Sequence, residues 1–262
     1  MPPGSIDTAA LLQRYEAEMR RDAWVPGLPA QQLPDVTRYY DAAQREALIM
    51  WHRFAPADAE QIVARELEFF ADAADFTWKI CAGDEPGNLA AVLEACGMRH
   101  EGDTTLMMAA TDALAAMPLP TGAEVRVLRD RRDAEQLASV WNAVWPEGSG
   151  GWVDVLGEAL TAQPERLCML VACVDGEPAS AGYIVLDPRG TFAYLGGGST
   201  VEAQRGRGLY RTLVLARARI AQAAGIRYLA VEARPESGPI LDRLGFNSVT
   251  TLRFFERPRT AN

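Results

Sequence analysis

The second half of the chain alternates apolar runs of strand length with helical stripes in a regular order. Ala123–Leu128 sets Val125 and Val127 two apart, the period of a strand with one covered face. Helical spacing follows over Arg132–Trp145, with Asp133 suited to the cap or first turn, and over Trp152–Ala162 beyond the Gly148-Ser149-Gly150-Gly151 break. Leu167–Val174 and Ala179–Asp187 flank Asp175-Gly176, a dipeptide that favours the tight turn of a hairpin. Thr191–Thr200 reads as a strand and Leu209 onward as an amphipathic helix that Gly225 closes. Ile226–Ala233 is a strand, Gly238–Leu244 a short helix and Val249–Phe255 a last strand. The order β-α-α-β-β-β-α-β-α-β predicts an α/β fold in which helices cover a mixed sheet.

The first half is less regular. A helical pattern over Thr8–Arg21 gives way to a segment broken by Pro26, Pro29 and Pro34, then to a short strand, Asp35–Tyr40. Asp41–Arg53 has helical periodicity through Ala47, Leu48 and Trp51. Pro56 suits the first turn of a further helix to about Ala71, whose buried stripe is Ile62, Val63, Leu67 and Phe70. Phe76–Cys81 is a strand, Asn88–Ala95 a short helix stopped by Gly97, and Met98–Met108 supplies two more strands. The prolines and glycine of Ala115–Gly122 mark a linker, so the expected domains are residues 1–117 and 123–262.

Composition narrows the function classes. The 262 residues are 48% hydrophobic and 23% charged, enough to bury a core in one large or two small domains. The net charge of -9 disfavours nucleic acid as a partner and mildly favours a cationic substrate. Cys81, Cys96, Cys168 and Cys173 show no paired spacing and only His52 and His100 are available to join them, so neither a metal site nor a disulfide framework is expected. The cysteines suit a reducing compartment, and no leader or membrane-spanning run stands out, so the expected location is the cytoplasm.

Chemistry concentrates between the strand at Thr191–Thr200 and the helix at Leu209. Gln204-Arg205-Gly206-Arg207-Gly208 is a basic, glycine-rich loop opening a helix, an arrangement that offers main-chain N–H groups and a positive helix end to a phosphate. Gly206 and Gly208 permit close approach or positive φ, and Arg205, Arg207 and Arg211 add charged donors. The alternative is a tight surface turn with solvated arginines. No Gly-Lys-Ser/Thr follows, so this is not a Walker A loop, and Arg211 stands where a dinucleotide fingerprint needs its third glycine.

Over residues 123–256 the element order and two motifs resemble the GNAT superfamily of acyl-CoA-dependent N-acetyltransferases. Arg205-Gly206-Arg207-Gly208-Leu209 is similar to the family's Arg/Gln-x-x-Gly-x-Gly/Ala loop, and Leu244-Gly245-Phe246 to the Leu-Gly-Phe of its other conserved segment. The resemblance implies acetyl-CoA as co-substrate, a pyrophosphate held by Arg205, Gly206, Arg207, Gly208, Leu209, Tyr210 and Arg211, and a pantetheine arm along Gly198, Ser199 and Thr200. The acceptor would be the amine of a small molecule or peptide, with no metal and no membrane, and the protein a monomer or homodimer.

Departures from the family pattern bear on catalysis. Tyr210 stands where the loop usually ends in a small residue. Arg234 and Leu241 occupy the positions of the family's Asn and thiolate-protonating Tyr, leaving Ser237, Tyr194 or solvent to supply the acid. The base candidates are Glu232, Glu147 and Asp154, each of which reads more readily as a solvated surface carboxylate. Trp78 to Met98 is similar in pattern to Tyr228 to Phe246, which suggests a degenerate GNAT-like first half without the Arg-Gly loop; an unrelated α+β cap is the alternative. An acyl-CoA sensor without catalysis and a dimerisation scaffold remain as competing functions.

Overall fold

The computed structural model describes residues 8–41, 46–120, 122–145, 151–187 and 190–258. In the first half, α1 (Thr8–Tyr15) runs on into a π-helical turn, Glu16–Arg21. Three strands follow: β1 (Ala30–Gln32), β2 (Val36–Tyr40) and β3 (Glu46–His52). Then come α2 (Ala59–Phe69), β4 (Asp75–Cys81), α3 (Leu89–Ala95), β5 (Arg99–Ala110) and α4 (Thr111–Ala115). The second half is β6 (Glu124–Leu128), α5 (Ala134–Val144), α6 (Trp152–Ala162), β7 (Leu167–Val174), β8 (Glu177–Leu186) and β9 (Phe192–Thr200). It ends with α7 (Leu209–Ala223), β10 (Tyr228–Ala233), α8 (Gly238–Arg243) and β11 (Asn247–Glu256). The fold is mixed α/β, in the element order read from the sequence for residues 123–256.

The chain forms two compact units, Met1–Leu106 with Val249–Asn262, and Met107–Ser248. This division differs from a boundary in the proline-rich segment at 118–122. β11 pairs antiparallel with β4, from Leu252 opposite Cys81 to Glu256 opposite Thr77, which draws the chain's last strand into the first unit. Met107, Ala109, Leu114 and Ala115 pack instead in the core of Leu170, Ile184, Leu213 and Leu229, which draws the end of β5 into the second. Hydrophobic burial, rather than the position of the prolines, sets the boundary.

Two expectations in the first unit are corrected. The segment expected as a helix, Asp41–Arg53, contains the strand β3, held between antiparallel β2 and parallel β4. Ala47-Leu48-Ile49-Met50-Trp51 is a short continuous apolar run whose period does not separate helix from strand, and pairing on both edges decides it. The two strands expected over Met98–Met108 are one strand of 12 residues, β5; Gly102 takes φ 125° inside it without a chain reversal.

The two halves share a supersecondary order. β3-α2-β4 and β9-α7-β10 are both parallel crossovers. α3 and α8, the helices that follow, end alike. Met98 N–H donates to Leu93 and Gly97 N–H to Glu94; Phe246 N–H donates to Leu241 and Gly245 N–H to Asp242. Both are Schellman closures with a left-handed glycine (φ 89° and 92°) and a buried pair across the turn, Leu93/Met98 and Leu241/Phe246.

Candidate functional site

β9 and β10 face each other only over Phe192–Tyr194 and Tyr228–Ala230. Beyond those pairs β9 continues to Thr200 and β10 to Ala233 without mutual register, while β9 keeps its pairing to β8 through Thr200. Leu195–Thr200 therefore has one hydrogen-bonded edge and one edge on a widening gap. An unpaired strand edge presents alternating N–H and C=O groups, which an amide-bearing chain can meet.

At the mouth of that gap the chain makes a short 3-10 turn, Glu202–Gln204, and then the basic loop. Gly208, in the left-handed region at φ 78°, is the N-cap residue of α7, and no side chain caps that helix. Arg205, Arg207 and Arg211 are exposed. Arg205 Nε donates to the Thr200 carbonyl at 3.3 Å and Arg207 bonds Gln204, so the loop is tied back to β9 and to its own turn. Among the described residues none of the three arginines meets a carboxylate. Uncapped N–H groups and the positive end of a 15-residue helix thus belong to one short segment with three exposed guanidinium groups that meet no carboxylate among the described residues.

The strand itself is irregular where the gap opens. Its register against β8 shifts between Ala181 and Tyr183, and Gly197 takes φ 61°. Three side chains press on the consecutive glycines. A methyl group at Gly196 would meet the Tyr183 ring at 2.1 Å, one at Gly197 the Trp141 indole at 2.1 Å, and one at Gly198 the Tyr210 ring at 2.7 Å. Trp141 Nε1 donates to the Gly197 carbonyl at 2.8 Å. From α7, Arg217 Nη1 donates to the carbonyls of Tyr183 (2.9 Å) and Gly196 (3.2 Å), and Nε to Leu213. Arg217 is 1% exposed and forms no ion pair among the described residues, and burial lowers its pKa.

No family model matches the chain, and no curated protein does. Solved structures do. A GCN5-related N-acetyltransferase from Kribbella flavida superposes with a TM-score of 0.67 at 15% identity, over 96% of this chain and 94% of its own. A tandem GNAT protein from the clavulanic acid biosynthesis pathway gives 0.57 at 16%, over 97% and 95%. A GCN5-related N-acetyltransferase from Sphaerobacter thermophilus gives 0.58 at 14%, over 98% and 88%. The chain has the tandem GNAT fold.

Within that fold the expected coenzyme residues lie together: Gly198, Ser199 and Thr200 on the free edge of β9, and Arg205–Arg211 at the loop and helix start. Tyr210, the departure from the family's small residue, lies against Gly198, its ring where a side chain on that glycine would be. Burial raises the Tyr210 pKa. Ser199 is more enclosed than expected: its Oγ is buried without a partner and its carbonyl accepts from Ser180 Oγ at 2.6 Å.

The catalytic candidates are scattered. Glu232 is half-buried on β10, within electrostatic range of the Tyr183 hydroxyl. Ser237 Oγ donates to the Arg234 carbonyl at 3.1 Å beside Tyr210. Tyr194 sits in the last paired position of β9, at the closed end of the gap, with its ring 6.5 Å from that of Tyr183. Asp154 is exposed and pairs with Arg131 at 3.3 Å. Glu147 lies outside the described residues.

Sequence reasoning missed Tyr183, Trp141 and Arg217. Burial raises the pKa of Tyr183, with Glu232 and Arg217 as the charged groups nearby. A signal for Arg217 was present: Leu209, Leu213, Arg217 and Ala221 recur four apart as one buried stripe of α7, with a single charge in it.

The first unit has a parallel pair that opens in the same way, since β3 and β4 face each other only as far as Ile49 and Trp78. Here the opening is filled. Arg20 donates to the Met50 carbonyl at 2.8 Å and holds both Asp84 oxygens, at 2.8 and 2.5 Å. Asp84 also accepts from Cys81 N–H at 2.7 Å, and buried His52 accepts from Trp78 Nε1 at 3.2 Å. A cavity of about 350 Å³ beside this plug is lined by Cys81, Asp84, Pro86 and Arg253, with no glycine-arginine loop.

Proposed function

We propose that the second unit binds acetyl-CoA and transfers the acetyl group directly to the amine of a small molecule or peptide. The observation that carries this reading is the parting of β9 from β10 after Tyr194 and Ala230, at the mouth of which stands the uncapped, arginine-flanked start of α7. The pyrophosphate would lie on the N–H groups of Gly206–Tyr210 with Arg205, Arg207 and Arg211 around it. The pantetheine amides would bond the open edge of Gly198–Thr200. Attack by the neutral amine on the thioester carbonyl forms C–N and breaks C–S, and the thiolate leaves with a proton. Glu232 is our choice of base and Ser237 or Tyr194 of acid.

A sensor that binds acyl-CoA without turnover is the second reading. It is favoured by Leu241, an apolar and fully buried side chain at the position where the resemblance expects a phenol. Calorimetry with CoA and acetyl-CoA, alongside thiol release against a panel of amines, separates the two. Binding with turnover supports the transferase and binding without turnover the sensor. Absence of binding rules out both.

A further inference from the structure

We infer that Arg217 and Trp141 are positioning residues that aim the N–H groups of Gly197 and Gly198 at the thioester oxygen. The inference rests on the acyl-CoA reading above and names the parts of that site that set its oxyanion donors.

The geometry is that of two successive peptide planes. The Gly196 carbonyl belongs to the same planar group as the Gly197 N–H, and the Gly197 carbonyl to the same group as the Gly198 N–H. In a trans peptide the two bonds point in opposite directions. Arg217 holds the first carbonyl from α7, and Trp141 holds the second from α5. Each clamp therefore fixes a donor it does not touch. Neither carbonyl is free to swing, because the indole lies where a methyl on Gly197 would be and Arg217 Nη2 stands 3.6 Å from where one on Gly198 would be. Gly182 completes the arrangement: a methyl there would meet Arg217 Nη1 at 3.0 Å, so its lack of a side chain lets the guanidinium reach both strands.

Charge points the same way. Removing an arginine from water costs free energy that an ion pair usually offsets, and here carbonyl oxygens alone receive it. The net positive charge left beneath the bulge stabilises negative charge on an atom bound above it, and in a buried setting that effect is weakly screened. This suits the step proposed, in which the carbonyl oxygen gains negative charge as the amine adds and loses it as the thiolate departs. It also suits a site with Leu241 in place of the acid, since preorganised donors lower the barrier without a proton transfer.

The test does not require the acceptor to be known. Acetyl-CoA labelled with ¹³C at the carbonyl is bound to the full chain, and its C=O stretch is read by difference infrared spectroscopy. The wild type should lower the stretch relative to free acetyl-CoA. Trp141→Phe, which keeps the ring and removes the donor, and Arg217→Lys should each lose most of that shift while CoA affinity changes by about twofold or less. With an accepted amine, kcat should fall about ten- to hundredfold with KM for acetyl-CoA little changed. A stretch unshifted in the wild type, or equally shifted in a folded Trp141→Phe, overturns the inference while leaving the acyl-CoA site standing. Failure of CoA itself to bind the wild type overturns both.

Discussion

The ring of Tyr210 lies so close to Gly198 that a methyl group at residue 198 would stand 2.7 Å from Cε2. The tyrosine that departs from the family's small residue is thus matched by a strand residue with no side chain. Gly198→Ala should push the ring aside and weaken CoA binding, whereas the Gly198→Ala/Tyr210→Ala pair should recover part of the loss. Affinities of the two single variants and the double, in a mutant cycle, check this. Additive losses would show that the two residues do not share the site.

The loop makes a separable prediction. Nothing lies within 4 Å of a methyl group at Gly206, and at Gly208 only Pro120 does, at 3.7 Å, so valine there strains the backbone without clashing in the fold. Gly206→Val and Gly208→Val should each cost about 1–2 kcal/mol of stability through their positive φ. Their effect on CoA affinity should be larger, because a bulky group blocks the anion. Arg205→Ala should weaken binding by about 1–3 kcal/mol as a lost charge-assisted contact. Titration calorimetry beside thermal melting reads both quantities, and unchanged affinity in all three variants rules out the pyrophosphate site.

Acid should act first through the first unit. Burial pushes the His52 pKa down to about 4, against about 6.5 in an unfolded chain, with Asp84 and Arg20 as the charged neighbours. The folded chain then binds fewer protons than the unfolded chain across that interval. His52 contributes its full stability above pH 6.5 and loses it as the pH falls toward 4, at up to about 1.4 kcal/mol per pH unit. His52→Gln, which keeps an acceptor for Trp78, should flatten that slope in denaturant titrations at pH 7.5, 6 and 5. A slope as steep as that of the wild type would assign the acid sensitivity elsewhere.

How far the sequence reaches is visible in these residues. The second half is legible because its signals are local: Asp175 and Gly176 both take positive φ in the turn between β7 and β8, and Gly225 and Gly245 close their helices. The basic loop is legible because a phosphate site needs glycines and cations at short spacing. β3 is not legible, since two neighbouring strands rather than its own period make it extended. Nor are the clamps on β9. Trp141 stands among the apolar residues of its helix, and the four-residue stripe of α7 marks Arg217 as buried without saying what it touches. Only the 56-residue and 21-residue separations closed by folding bring them to Gly197 and Gly196.

The last prediction separates direct transfer from an acyl-enzyme route. A covalent intermediate on a cysteine would need a reactive thiolate, because the thiolate and not the thiol is the nucleophile. Cys168 and Cys173 lie on β7, and burial raises both pKa values, with only a partial opposing pull from Arg129 on one and Arg126 on the other. Cys168→Ala/Cys173→Ala should therefore keep its CoA affinity and its transferase activity, with a stability loss from the vacated volume of about 1–3 kcal/mol. Glu232→Gln should lower turnover with little change in CoA affinity, since the residue lies on β10 and not in the basic loop. Steady-state rates with an accepted amine and mass spectrometry of the intact chain check the pair. An acylated cysteine in the wild type, together with an inactive but folded cysteine variant, would overturn direct transfer. Full activity in Glu232→Gln would instead leave direct transfer standing and move the base to another carboxylate or to water.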